Sequence, residues 1–272
     1  MTIARRLSVN ADDFGFTGDV NRGIVEAHLH GIVTSTTIMA NGPAFDDAVR
    51  LARATPSLDI GVHFVLVGGE QVARPGRALP ATVSELIKAL ALRKIDVFEE
   101  LSTQMEKVLD AGVRVTHVDT HKHTHLLPTV LDAVCRIAAS HGAGWIRRPF
   151  DFPITPGPAG IPMTKRAVSR AMSPVRRVFH AKMARHGCAS TDNFAGFQMT
   201  GRFSHEDVVH LIERLPGGWT EFMVHPGFCT DELRGSRTRL KESREAELNA
   251  LTHPAVRQAL ADNGVALQPY PA

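Results

Sequence analysis

Four of the chain's fourteen histidines, His117, His121, His123 and His125, fall within nine residues, with Asp119 among them. Neutral imidazole and carboxylate are ordinary ligands for a divalent metal ion. A single histidine is often structural, but four beside an aspartate read better as a metal or catalytic site than as a solvated strand end. The run from Gly112 to Asp119 is β-branched and alternating, which predicts a strand. Side chains two apart on a strand share a face, so His117, Asp119 and His121 would line up. Pro128 suits the first turn of a following helix, so the histidines sit where a strand runs out into a loop.

Other residues of the same chemistry stand at the ends of strand-like runs. Leu7 to Ala11 leads into Asp12 and Asp13. Two adjacent carboxylates at the end of a buried strand are costly unless they bind something. Asp19 is available to cap the next helix, which leaves one carboxylate for a metal and the other as a base. His63 lies inside the apolar run Leu58 to Leu66. Alone it would be a hydrogen-bonded core residue; beside the other strands it reads as a ligand. Arg147, in the short strand Gly144 to Pro149, is placed either to hold a carboxylate bidentately or to form a surface ion pair. His225 ends the run from Trp219 and is held extended by Pro226, where a general acid could be placed.

The elements that must position these residues alternate strand with helix about seven times. Further strands are predicted over Val33–Met39, around Asn193–Phe197 and over Val265–Leu267. Helices are predicted from Asp19 to Gly31, from Pro43, over 83–92, 98–109, 128–139, 204–215, 234–251 and 253–262, with Ser204 as a cap and Asp207 at the third helical position. Gly68 to Pro80 is a loop able to overhang a site. Functional residues at so many strand ends predict an α/β fold: a distorted (β/α) barrel of about seven parallel strands, closed or nearly closed, with its site at the strands' C-terminal ends. A doubly wound open sheet shows the same alternation. A single domain over 1–272 is expected, with an insertion around 150–190. That insertion is proline-rich at first (Pro149, Pro153, Pro156, Pro158, Pro162) and then basic and helical over 163–186, interrupted at Pro174.

Composition narrows the function classes. The 272 residues are 43% hydrophobic and 22% charged, with net charge +3, which gives no footprint for nucleic acid. Cys135, Cys188 and Cys229 are too few and too scattered for a disulfide framework and fit a reducing compartment; Cys135 reads as core. Met1 to Arg6 run straight into a strand, with no secretory segment and no 18-residue apolar stretch, so a cytoplasmic protein is expected. The basic stretch (Lys165, Arg166, Arg170, Arg176, Arg177, Lys182, Arg185) is read first as a solvated face and second as a surface for an anionic or membrane-borne partner.

Asn10-Ala11-Asp12-Asp13-Phe14-Gly15, Gly61-Val62-His63-Phe64, the stretch Thr116 to His125, and His225-Pro226-Gly227, in this order, resemble the YdjC-like carbohydrate deacetylases. This is the chitooligosaccharide deacetylase family, which includes hopanoid biosynthesis-associated proteins. Val33 to Thr37 and Asn41-Gly42 look familial too, whereas 150–215 matches weakly. The resemblance implies a distorted β/α barrel, one divalent metal ion, zinc or magnesium, and hydrolysis of an N-acetyl group on an amino sugar. It makes Asp13, His63 and His121 metal ligands, Asp12 the catalytic base, His225 the acid and Arg147 the residue that orients Asp12. His117, Asp119, His123 and His125 would support the ligands or touch substrate. The implied substrate is an N-acetylglucosamine-containing oligosaccharide or glycolipid, and a homodimer fits the family. The rivals are a metal-dependent phosphoesterase, which often needs two metals ~3.5–4 Å apart, and a sugar- or metal-binding module without turnover.

Overall fold

Seven parallel strands curl into a half-barrel with helices outside it. In chain order they are β1 (Arg5–Phe14), β2 (Ser35–Ile38), β3 (Asp59–Phe64), β4 (His117–Thr120), β5 (Trp145–Ile146), β6 (Asn193–Ala195) and β7 (Gly218–Val224); β8 (Val265–Leu267) follows. Their order across the sheet is β5-β4-β3-β2-β1-β7-β6, with β8 paired to β1. The computed structural model describes residues 3–154, 157–172 and 174–271. Met1, Thr2 and Pro156 of the proline-rich loop lie outside them.

The helices are α1 (Gly18–Leu29), α2 (Phe45–Ala54), α3 (Val83–Ala91), α4 (Val97–Asp110), α5 (Pro128–Ser140), α6 (Met163–Met172), α7 (Val175–Arg185), α8 (His205–Glu213), α9 (Asp231–Gly235), α10 (Glu242–Thr252) and α11 (Pro254–Asp262). Pro128 opens α5 as expected. Ser204 and Asp207 form a reciprocal capping box at α8. The core is continuous across the sheet and its covering helices, with Leu7, Val9, Ala11, Val62, Val118 and Phe222 inaccessible to solvent. Strands buried on both faces read as near-continuous apolar runs, which is why the polar residues inside them carry information.

Several expectations are corrected. β4 begins at His117, not Gly112, so His121 lies past the strand in a 3₁₀ turn, His121–Leu126. Thr17, not Asp19, caps α1, accepting from the Val20 N–H at 3.2 Å. Asp19 is buried and instead accepts from the N–H groups of Thr230 (3.0 Å) and Leu233 (3.2 Å) at the start of α9. The helix predicted over 234–251 is two helices, α9 and α10. The barrel is open on one side: among the described residues β5 and β6 share no ladder. β5 makes the parallel bridge Trp145–Ala189 to the segment before β6, and the Phe152 N–H, past β5, donates to the Phe194 carbonyl of β6 at 2.9 Å. With two and three residues, these edge strands offer too few backbone groups to close the ring.

Candidate metal centre at the strand ends

Two consecutive carboxylates on a regular strand point to opposite faces. Here the register of β1 against β2 slips between Ala11 and Phe14, and Asp13 takes a left-handed backbone, φ +73°. Such a bulge re-aims side chains, and it turns both Asp12 and Asp13 into one site. A non-glycine residue held in this region costs of order 1–3 kcal/mol and persists only where its surroundings impose it.

Asp13, His63 and His121 come together at the C-terminal ends of β1, β3 and β4. Asp13 Oδ1 lies 3.4 Å from His63 Nε2 and 3.3 Å from His121 Nδ1, and the two nitrogens are 3.3 Å apart. Asp13 Oδ1 is buried and has no hydrogen-bond partner. Donors at 2.0–2.1 Å from a four-coordinate ion lie about 3.3–3.4 Å from one another. An orphaned carboxylate oxygen and two imidazole nitrogens at that spacing could hold a divalent cation. The other Asp13 oxygen, Oδ2, accepts from Arg244 on α10. Burial would raise this carboxyl, but Arg244 and the two imidazoles hold it well below the usual carboxylate range.

His63 is oriented from behind. Its Nδ1 meets Asp119 Oδ1 at 2.5 Å and Thr37 Oγ1 at 3.3 Å, leaving Nε2 for the site. Burial would lower this imidazole, yet Asp119, Asp13 and Asp12 raise it to about 10. Asp119 is in turn held by Arg147 Nη1 at 2.6 Å. Arg147, itself buried, also grips both oxygens of Asp12 (2.7 and 2.6 Å) and Glu221 Oε1 (2.6 Å). Burial would raise Asp12, and Arg147, His63 and His225 lower it far below the ordinary carboxylate value. Asp12, His63 and Asp119 form a second cluster of possible ligands, but the Arg147 guanidinium already bonds both of its carboxylates. His225 Nε2 stands 3.8 Å from Asp12 Oδ2. Burial holds His225 at about 4, against the pull of Asp12 and Asp13, so its resting imidazole is neutral.

Comparison with known proteins places the chain in a family. Residues 6–262 match the sequence pattern of the family described as YdjC-like protein. The chain belongs to the YdjC-like family. It is 32% identical over 270 residues to a carbohydrate deacetylase of Geobacillus stearothermophilus, covering 96% of this chain and 95% of that one. Among solved structures it is similar to an Enterococcus faecalis protein described provisionally as a cellobiose-phosphate cleavage protein. That match has a TM-score of 0.77, 23% identity and 98% coverage of both chains. A lactam utilization protein of Thermus thermophilus gives a TM-score of 0.52 at 16% identity, over 97% of this chain and all of the other. These two likenesses bear on the fold alone.

Within this YdjC-like chain the remaining histidines part company. His117 shares the inner face of β4 with Asp119, but its Nε2 bonds Asn10 Oδ1 at 2.8 Å and its ring stacks on Tyr270 at 3.9 Å. Its ring lies over Gly61, where an added Cβ would sit 2.7 Å from Nε2, so β3 needs glycine there. Asn10 passes the contact on to Asp12 Oδ1 at 3.1 Å. His125 is spent on Thr120 Oγ1 (2.6 Å) and the Arg147 carbonyl (3.0 Å). His123, at φ +52°, packs near Phe194 and Phe197 with a buried, unpartnered Nδ1. Sequence reasoning missed Arg244 and Glu247, one turn apart on α10. Glu247 accepts from the backbone N–H groups of His225 (2.6 Å) and Gly201 (2.7 Å). It also passed over Glu221, although a glutamate inside the apolar run Trp219–Val224 was a signal.

Proposed function

We propose that this chain is a metal-dependent carbohydrate N-deacetylase: it hydrolyses the N-acetyl group of an amino sugar in an oligosaccharide or glycolipid and releases acetate. The observation that carries the reading is the triangle of Asp13 Oδ1, His63 Nε2 and His121 Nδ1 beside an independent carboxylate, Asp12. The full-length likeness to a protein named a carbohydrate deacetylase supplies the substrate class. A His₂Asp donor set suits zinc, whereas magnesium prefers an all-oxygen set. A divalent cation there supplies Lewis acidity, making water a stronger acid and polarising a carbonyl.

The chain's own residues divide the proton work. Asp12, ionised and fixed by Arg147, is placed to accept the proton of the attacking water. His225, neutral at rest, receives the proton across the 3.8 Å gap and delivers it to the leaving amine. The unpartnered Nδ1 of His123 is available to a polar group of the acceptor. A cytoplasmic location belongs to the same reading, since three scattered cysteines, an odd number, form no disulfide framework.

The test is acetate release from a panel of N-acetylated sugars and sugar–lipid conjugates, with and without added zinc or magnesium, run beside Asp12→Asn. Metal-dependent acetate that disappears in the variant supports the reading. No acetate from any acceptor despite bound metal sinks it.

A further inference from the structure

The longest run without a carboxylate, residues 152–191, holds Lys165, Arg166, Arg170, Arg176, Arg177, Lys182 and Arg185. It folds into α6 and α7, and α6 buries none of its residues. The face α6 turns to solvent carries most of its apolar residues, with Thr164 and Arg170 interspersed, while Met172 packs against the core. Met163 is 77% exposed and Val168 47%, with Ala167 and Ala171 exposed beside them. The more polar side is turned inward: Lys165 donates to the Thr200 carbonyl at 2.7 Å, and Ser169 Oγ accepts from Gln198 at 3.3 Å. On α7, Phe179 and Met183 are buried, whereas Val175 and Val178 face outward, Val178 at 63% exposure. A surface helix ordinarily buries its apolar stripe; here the stripe is presented. Among the described residues, Arg166, Arg170, Arg176, Arg177 and Arg185 pair with no carboxylate.

We propose that α6 and α7 form a docking surface for an anionic lipid bilayer. Exposed apolar side chains interleaved with unpaired cations are the composition that inserts at a headgroup boundary and is drawn to anionic lipid. A second copy of the chain is the poorer occupant, because a symmetric contact would bring two sets of unpaired arginines together. A nucleic acid would leave the valines and Met163 without use. Lys165 and Ser169 anchor α6 to residues 198–200, just past the C-terminal end of β6. Phe197 in the same segment lies 6.0 Å from His123. The docking surface therefore stands at the end of the half-barrel where Asp12 and Asp13 lie, and docking would bring that end toward the bilayer.

The experiment is co-sedimentation of the whole protein with phosphatidylglycerol–phosphatidylcholine vesicles and with phosphatidylcholine vesicles alone. It reads binding without turnover, so its outcome is separate from that of the acetate assay. Three variants go with it: Arg170→Glu/Arg176→Glu/Arg177→Glu, Val168→Ser/Val178→Ser, and a control of equal charge change on other exposed arginines, Arg50→Glu/Arg74→Glu/Arg214→Glu. Thermal unfolding checks that each folds. The wild type should pellet with the anionic vesicles only. The α6–α7 charge reversal should lose at least about tenfold of that binding, since each basic residue near such a surface contributes severalfold. The valine variant should be released at lower salt than the wild type, and the control should bind as the wild type does. No pelleting, equal pelleting with neutral vesicles, or equal loss in the control overturns the proposal. So does a self-association seen by sedimentation velocity that Val168→Ser/Val178→Ser abolishes while vesicles are ignored.

Discussion

Asp12 and Asp13 are the same residue type, adjacent in the chain, and their neighbours give them different work. Arg147 occupies both oxygens of Asp12, whereas Arg244 takes only Oδ2 of Asp13 and leaves Oδ1 to the imidazoles. Asp12→Asn should therefore keep the metal and lose ~10²–10⁴ in turnover, the size of a general-base contribution; near-wild-type turnover would remove Asp12 from the chemistry. His63→Ala removes a donor, and metal binding by calorimetry should weaken sharply. In the metal-free site the carboxylates around His63 keep it protonated up to about pH 10. Metal binding near neutrality should then expel a proton, read from the dependence of binding heat on buffer ionisation. Arg147→Met leaves three buried carboxylates without their cation and should cost about 3–5 kcal/mol in denaturant unfolding. Asp12, Asp13, His63 and His225 were legible as candidates because charge and imidazole are out of place at the ends of buried strands. The strand reading put His121 on β4 rather than past it, and it left open whether Arg147 turns inward. Asp119's part as the partner of both His63 and Arg147 was not legible, since a pairing across strands leaves no mark in either.

At the scale of elements, positions follow from departures from regularity. The slip in β1 is what lets consecutive aspartates serve one site, and the 3₁₀ turn after β4 carries His121 beyond the strand that the alternation of Val113, Val115 and His117 suggested. Neither is written in a hydrophobic period. The gap between α9 and α10 was hidden for the opposite reason: 231–247 is charged on every side, so no stripe exists to be interrupted. Yet α10 is the element that braces the centre, with Arg244 on Asp13 and Glu247 on the backbone of His225. Arg244→Gln, which keeps a hydrogen-bonding side chain but removes the charge, should weaken metal affinity by about 10–100-fold, the usual cost of losing a partner behind a ligand. Metal titration of the folded variant checks this; unchanged affinity would make Arg244 a packing residue only.

For the whole molecule, strand–helix alternation gave the parallel architecture and the end at which the site lies, but not the opening between β5 and β6. Strand length and pairing decide that opening, and two- and three-residue strands carry almost no pattern. Wrapping the sheet around polar residues has a consequence for stability. His125 sits inside, held at about 3 by burial and by Arg147's charge, and it would titrate near 6.5 in the unfolded chain. Between those values the unfolded state binds the proton and the native state does not, so stability rises with pH. The contribution is complete above about 6.5 and is lost as pH falls toward 3, at up to about 1.4 kcal/mol per pH unit. His63, raised to about 10, has the opposite sign and acts only above 6.5. In the acid window burial-raised carboxyls, Asp151 at about 6 and Glu247 at about 7, oppose the lowered histidines, so the His125 share is read as a difference between two proteins. His125→Gln keeps a hydrogen-bonding group toward Thr120 and the Arg147 carbonyl but cannot titrate. It should be less stable than the wild type at neutral pH, and the gap between the two should narrow as pH falls from about 6.5 to about 5. Urea unfolding of both proteins across that range measures it. A gap that stays constant would mean that His125 is not the buried neutral imidazole its contacts with Thr120 and Arg147 describe.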